Sequence, residues 1–377
     1  MTETMAIYYL VFLTLLFFSV TLPYGQFLPL SIKTTNVTNL EKIFTWNFKT
    51  ALLLILIGLI SGFRDVKIGT DFSGYVEFYE YILNNHEFKY GKFLGTEFGY
   101  NYLNLWAAKI NVPYPLFFAS VTMFTWYFFI KGSYKYQHLL PLMFFFIITS
   151  GFFFWTLSGL RQSISIMIFF YSIKFIIERD FYKYIIYILI GSLFHNSLLI
   201  MLPVYFLVYV SYKRTYAFIL FSVSLIFIGT NFFTLINEQL VKLLSGIDSL
   251  SAYLYYLDKE EYLNPVKMTG TNLGFLLKTI FTFWIILKSK KILKKHEELK
   301  IYYLLFLIFA IATNLFFGIE LIGRVLNYFY VSFAIVAAAT IYYAETYKDK
   351  IISLIFLTVF TLLYFVSTFK FLSSALG

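Results

Sequence analysis

The chain has 377 residues, of which 60% are hydrophobic and 13% charged, whereas an ordinary soluble domain is about one quarter charged. That balance excludes a soluble globular protein and points to a polytopic membrane protein. The absence of cysteine excludes disulfides, thiolate nucleophiles and Cys-ligated metals. His86, His138, His195 and His296 are scattered, with no HxH or HExxH spacing, so no metal site is expected. No phosphate-binding glycine loop follows a strand pattern, and no cofactor is expected. The first apolar run lacks a basic n-region and a small-residue cleavage site, so it does not read as a secretory signal.

A helix crosses a bilayer with about 20 apolar residues. In chain order, spans are expected near 5–30, 49–63, 112–130, 138–157, 159–177, 215–236, 273–287, 301–319, 325–343 and 351–369. The stretch 181–210 is interrupted at Phe194-His195-Asn196. Lysine and arginine mark the loops at Lys33 to Lys49, Lys131/Lys135, Lys174 to Lys183, Lys213/Arg214, Lys288 to Lys300 and Lys348/Lys350. If all of these face the cytoplasm, 181–210 crosses an even number of times, as two short helices meeting at His195. The expectation is an all-α polytopic protein of about 12 transmembrane helices, with residues 1–377 as a single transmembrane domain and both termini outside. These loops hold the whole of the +10 net charge, so the basicity reads as topology. Anionic lipid is the expected contact and nucleic acid is not.

Two external segments, 64–111 and 237–272, mix charge with aromatics and are expected to fold. In the first, Asp71 caps a helix whose apolar positions Phe72, Tyr75, Val76 and Tyr79 follow i, i+3, i+4, i+7 spacing. Such a helix lies along the outer interface.

Ionisable groups at span ends are costly and are candidates for function. Four clusters fall on the outer side. In "GFRDVKIGTDFSGYVEFY", Arg64 closes a span and Gly69-Thr70-Asp71 turn into the interfacial helix; an ordinary helix end followed by an N-cap explains part of it. In "TLSGLRQSISI", Ser158-Gly159 breaks the chain, and Arg161 and Gln162 enter the first turn of the next helix. Free N–H groups, the positive dipole end and a guanidinium there suit a phosphate. The helix itself gains nothing from an arginine at this end, so an acidic partner is the structural alternative. In "GSLFHNSLL", His195 stands between two half-helices, either as a satisfied polar group or as an acid–base residue. In "FGIELIGRVLNYFY", Glu320 and Arg324 form an i, i+4 pair, or Gly323 breaks the helix so that Arg324 opens the following span. Asn327 and Tyr328 lie one turn on. Clustered arginines select phosphate or pyrophosphate, and abundant aromatics stack on sugars or line a lipid groove.

Those four stretches, in this order and spacing across about 64 to 330, resemble the EpsG-like branch of the Wzy-type polysaccharide polymerases. These are bacterial inner-membrane enzymes of O-antigen, capsule and exopolysaccharide assembly. The resemblance implies a GT-C-like, all-helical glycosyltransferase at the periplasmic face of the inner membrane. A growing glycan would leave undecaprenyl pyrophosphate and join a sugar hydroxyl of a new lipid-linked repeat unit. A flippase and a chain-length regulator are the further partners this implies. Arg64, Asp71 and Tyr75 match the first motif, Arg161 and Gln162 the second, His195 the third and Arg324 the fourth. Lys67 departs from the pattern.

On this reading Arg161 and Arg324 stabilise the departing phosphate and Arg64 holds the second. His195 is the first candidate for the base that activates the acceptor hydroxyl, Asp71 the second and Glu320 the third. Thr70, Tyr75, Gln162, Asn327 and Tyr328 are the expected contacts to pyrophosphate and sugar. Three other classes stay open: a lipid-linked sugar flippase, another membrane transferase such as a glycan ligase or acyltransferase, and a membrane scaffold.

Overall fold

The computed structural model describes residues 39–69, 71–85, 97–228, 273–316 and 320–353, with 355, 356, 359 and 363 beyond them. The expected first span and the segment 237–272 lie outside the described residues. Two compact units divide the chain: Met1–Val208 with Ala337–Gly377, and Tyr209–Val336. Among the described residues every regular element is helical and there is no strand.

The first unit holds α1 (Asn39–Gly62), α2 (Phe72–Asn85), α3 (Phe98–Lys109), α4 (Tyr114–Gly132), α5 (Leu140–Thr149), α6 (Phe152–Ser158), α7 (Leu160–Ile177) and α8 (Phe181–Ser192). α1 packs on α4, α4 on α7 and α7 on α8. Gly58 and Gly62, one turn apart, set the first crossing. A Cβ on Gly62 would stand 2.1 Å from the Pro115 carbonyl oxygen, so the two backbones meet where only glycine fits.

α5 and its preceding 3₁₀ turn are bent by 66° from α6. Gly151, at φ 75°, supplies the left-handed residue at the break. After α8 the chain turns at 193–195 and continues as a 3₁₀ helix, Asn196–Tyr209. The stretch 181–210 is thus two short helices meeting at His195. The tighter winding matters for reach. Fourteen residues of 3₁₀ helix extend about 28 Å, against about 21 Å in α form, and so approach the bilayer core thickness.

α2 buries Phe72, Val76, Phe78, Tyr79 and Ile82 against Phe117 and Phe118 of α4. Tyr79 stacks on Phe117 at 4.3 Å, and its hydroxyl donates to the Val112 carbonyl at 2.6 Å. α3 shows the opposite face to solvent or lipid: Phe98, Tyr102, Trp106 and Ile110, each four residues on, are all exposed. A stripe of this kind suits the membrane interface.

The second unit holds α9 (Arg214–Ser224), α10 (Leu273–Lys295), α11 (Lys300–Leu315) and α12 (Glu320–Tyr330). Ala217, Phe221, Ile286, Leu307 and Ala310 form its core, and Asn314 Nδ2 donates to Ser224 Oγ at 2.8 Å. α12 corrects one expectation. Gly323 does not break it; the helix runs from Glu320 through Gly323, and Arg324 stands in its second turn. Among the described residues a Cβ at Gly323 would meet nothing within 4 Å, so this glycine answers to no close approach there. The interruption falls at Val331, before α13 (Ser332–Tyr342).

Among the described residues, Leu160–Ile177, Glu297–Leu315 and Ile322–Tyr342 are long and apolar enough to cross a membrane, and the bent pair around Ser150 passes the same test when its two helices are taken together, as a broken span or a re-entrant loop. The described residues are those of an all-helical membrane protein.

Candidate functional site

Glu97 stands in extended conformation (φ −71°, ψ 148°) just before α3. Gly99 decides where it points. Its N–H donates to the Leu193 carbonyl at 2.7 Å, and a Cβ there would lie 2.8 Å from the same oxygen. The start of α3 is therefore pressed against the turn that follows α8. That turn is held in its own right. Ser165 of α7 donates to the Gly191 carbonyl at 2.7 Å, and the Phe194 and His195 N–H groups donate to the same carbonyl.

These fastenings bring three distant side chains onto one carboxylate. His195 Nδ1 is 2.7 Å from Glu97 Oε1, and the Asn196 N–H points at that oxygen from 3.4 Å. Arg161 Nη1 donates to Glu97 Oε2 at 2.6 Å. The Tyr75 hydroxyl of α2 lies against the Arg161 guanidinium. The acidic partner that an arginine in a first helical turn calls for is thus Glu97.

The carboxylate is at the bottom of the site and its partners reach outward. The Glu97 side chain is 6% exposed, Arg161 25% and His195 27%. Burial alone would raise the Glu97 carboxyl. The hydrogen bond from His195 and the charges of Arg161 and His195 outweigh burial and hold it below the usual carboxylate range. Burial raises the Tyr75 phenol, so it is a neutral hydroxyl at the site.

A carboxylate oxygen only accepts, so the 2.7 Å contact calls for a proton on His195 Nδ1. Arg161 adds positive charge at the start of α7, where the peptide N–H groups and the dipole also favour an anion. The site combines a guanidinium at a helix start with an imidazole held by a carboxylate.

Asp71 is exposed at the start of α2, one turn before Tyr75. Gln162 is buried beside Arg161. Thr70 lies outside the described residues. Arg64 is buried and fastens the turn itself. Its Nη1 donates to the Ser61 carbonyl at 2.7 Å, Nη2 to Leu157 at 2.6 Å and Nε to Ile68 at 3.2 Å. Its guanidinium also lies 3.5 Å from the Phe72 ring centre. One cation thereby ties the ends of α1 and α6 to the start of α2. Arg324, Asn327 and Tyr328 share α12 of the second unit, with Arg324 exposed, Asn327 half-buried and Tyr328 fully buried. The Glu320 side chain lies outside the description.

Glu97 is the residue sequence reasoning missed. Its partners are 64 and 98 positions away. The available signal was a carboxylate two residues before a glycine, in an acid-poor chain in which Arg161, at a helix start, called for a counter-charge.

The EpsG family model matches residues 47–376. No curated protein and no solved structure matches the chain.

Proposed function

The chain belongs to the EpsG family, and on that premise we propose that it polymerises lipid-pyrophosphate-linked oligosaccharide repeat units at the periplasmic face of the bacterial inner membrane. The observation that carries this reading is the meeting of Arg161 and His195 on Glu97. One group suits a pyrophosphate leaving group and the other suits an acceptor hydroxyl.

The placement of the lysines on the helices supports this sidedness. Lys131 ends α4, Lys174 is near the end of α7 and Lys183 is in the first turn of α8, with Lys131 and Lys183 in electrostatic reach of Lys174. Arg161 and His195 are at the opposite ends of α7 and α8. The 18 residues of α7 put about 27 Å between those ends. If the lysines face the cytoplasm, the site faces out.

In the proposed reaction the acceptor hydroxyl gives its proton to His195 Nε2. Its oxygen bonds to the anomeric carbon of the donor glycan as the bond from that carbon to the pyrophosphate oxygen breaks. The carrier pyrophosphate leaves with the electron pair, and Arg161 with the first turn of α7 stabilises the charge that develops. Tyr75 and Asp71 border the site where sugar hydroxyls approach. Arg64 keeps this wall in shape.

Product length tests the reading. A strain lacking the protein is complemented with wild type, Arg161→Ala or His195→Ala, with membrane levels matched by blot. Collapse of the glycan ladder to single repeats in both variants is the expected result. Long chains retained on the carrier lipid would identify a ligase. Failure of any repeat to reach the periplasm would identify a flippase.

A further inference from the structure

Glu97 serves both partners through separate oxygens. Oε1 meets His195 Nδ1 and the Asn196 N–H, and Oε2 meets Arg161. We infer that Glu97 is a positioning residue that fixes the tautomer and orientation of His195, and so makes Nε2 the proton acceptor. The inference rests on the reading of His195 as the base.

Four features support it. Glu97 is itself immobilised, because its backbone is pinned two residues on by the Gly99–Leu193 hydrogen bond. The ion pair with Arg161 keeps the carboxylate charged, so it accepts from Nδ1 across neutral pH. A neutral imidazole with its proton held on Nδ1 has nowhere but Nε2 to accept another. Once Nε2 has taken the acceptor's proton, the same carboxylate lies against the imidazolium and stabilises it. This is the logic of an oriented base in nucleophilic triads, applied here to a sugar hydroxyl. The titratable and charged groups described at this site are Glu97 from the start of α3, Tyr100 in its first turn, Arg161 from α7 and Tyr75 from α2. Asp71 lies beyond Tyr75.

The test uses full-length protein in lipid nanodiscs with ¹⁵N-labelled histidine. The chain has four histidines, so His195→Gln assigns the signal by its loss. In wild type the neutral ring is expected to show a protonated Nδ1 and a bare Nε2. In Glu97→Gln that preference is expected to weaken, because a neutral amide no longer demands the Nδ1 proton. With lipid-linked repeat units as substrate, turnover of Glu97→Gln is expected to fall roughly 10²-fold. The acidic limb of its pH–activity profile moves to lower pH, because the imidazolium has lost its counter-charge.

A bare Nδ1 in neutral wild-type His195 overturns the inference without recourse to any variant. So does a Glu97→Gln protein whose turnover falls while tautomer and pH limb stay fixed, since that is the mark of a merely structural role. If wild type makes no polymer yet shows the Glu97-dependent tautomer, the polymerase reading fails and the positioning of His195 stands.

Discussion

Replacing Gly99 with alanine probes how closely the site depends on one backbone contact. The added Cβ would lie 2.8 Å from the Leu193 carbonyl oxygen and 2.9 Å from the Leu193 Cβ. Ordinary contact begins near 3.4 Å, so the start of α3 and the turn after α8 must part by about 0.6 Å. The same displacement acts on the Gly99–Leu193 bond and, two residues away, on the Glu97–His195 contact, both now 2.7 Å. Overpacking of this kind costs about 1–3 kcal/mol. Misplacing a catalytic group by up to an ångström costs as much as about 10² in rate. The expected outcome is a protein that reaches the membrane at reduced thermal stability and loses polymer length far out of proportion to its abundance. Thermal unfolding in detergent and the glycan ladder, each normalised to protein level, measure the two effects. A Gly99→Ala protein with wild-type stability and wild-type chain length would refute the claim that this contact sets the site.

Two further outcomes follow from the same geometry. Arg64→Ala removes three buried donors and a cation stacked on Phe72, and should lower unfolding free energy by about 3 kcal/mol. Arg64→Lys should recover only part of this, because a point charge cannot reach three carbonyls at once; full recovery would count against the stapling role. Acid stability reports on Glu97. Its carboxyl is depressed below 4.5 in the folded protein, so its contribution is present above that pH and is lost as pH falls through the depressed value. Wild type should exceed Glu97→Gln by about 3 kcal/mol at pH 6, and the gap should close only as pH falls through the depressed value. A gap that stays constant across that range would show that the carboxylate's charge is irrelevant to stability.

Much of the helical outline was legible along the chain. Apolar runs fall where α1, α4, α7 and α11 form, because the length needed to cross hydrocarbon leaves little freedom in placing them. The break at His195 was legible for a related reason: a polar Phe-His-Asn step cannot continue an apolar helix without a partner. The apolar positions of α2 were legible from their 3.6-residue period, and three of the four named, Phe72, Val76 and Tyr79, are buried. Gly323 shows the limit. A glycine weakens a helix without ending it, and α12 runs through it.

Composition and apolar runs determined that this is a helical membrane protein with arginines and a histidine waiting at span ends, and four motifs carried the resemblance to the EpsG family that the family model bears out. Charge at the edge of hydrocarbon is expensive enough to be visible one residue at a time. What those charges do was decided by tertiary structure. Arg64 and Arg161 look alike in sequence, yet one is drawn into three carbonyls and the other onto a carboxylate. Glu97 was hidden because a hydrogen bond has a reach of about 3 Å in space and no reach along the chain. The pressing of Gly99 against Leu193, with the turn after α8 fastened to Ser165, brings residues 97, 161 and 195 within that distance.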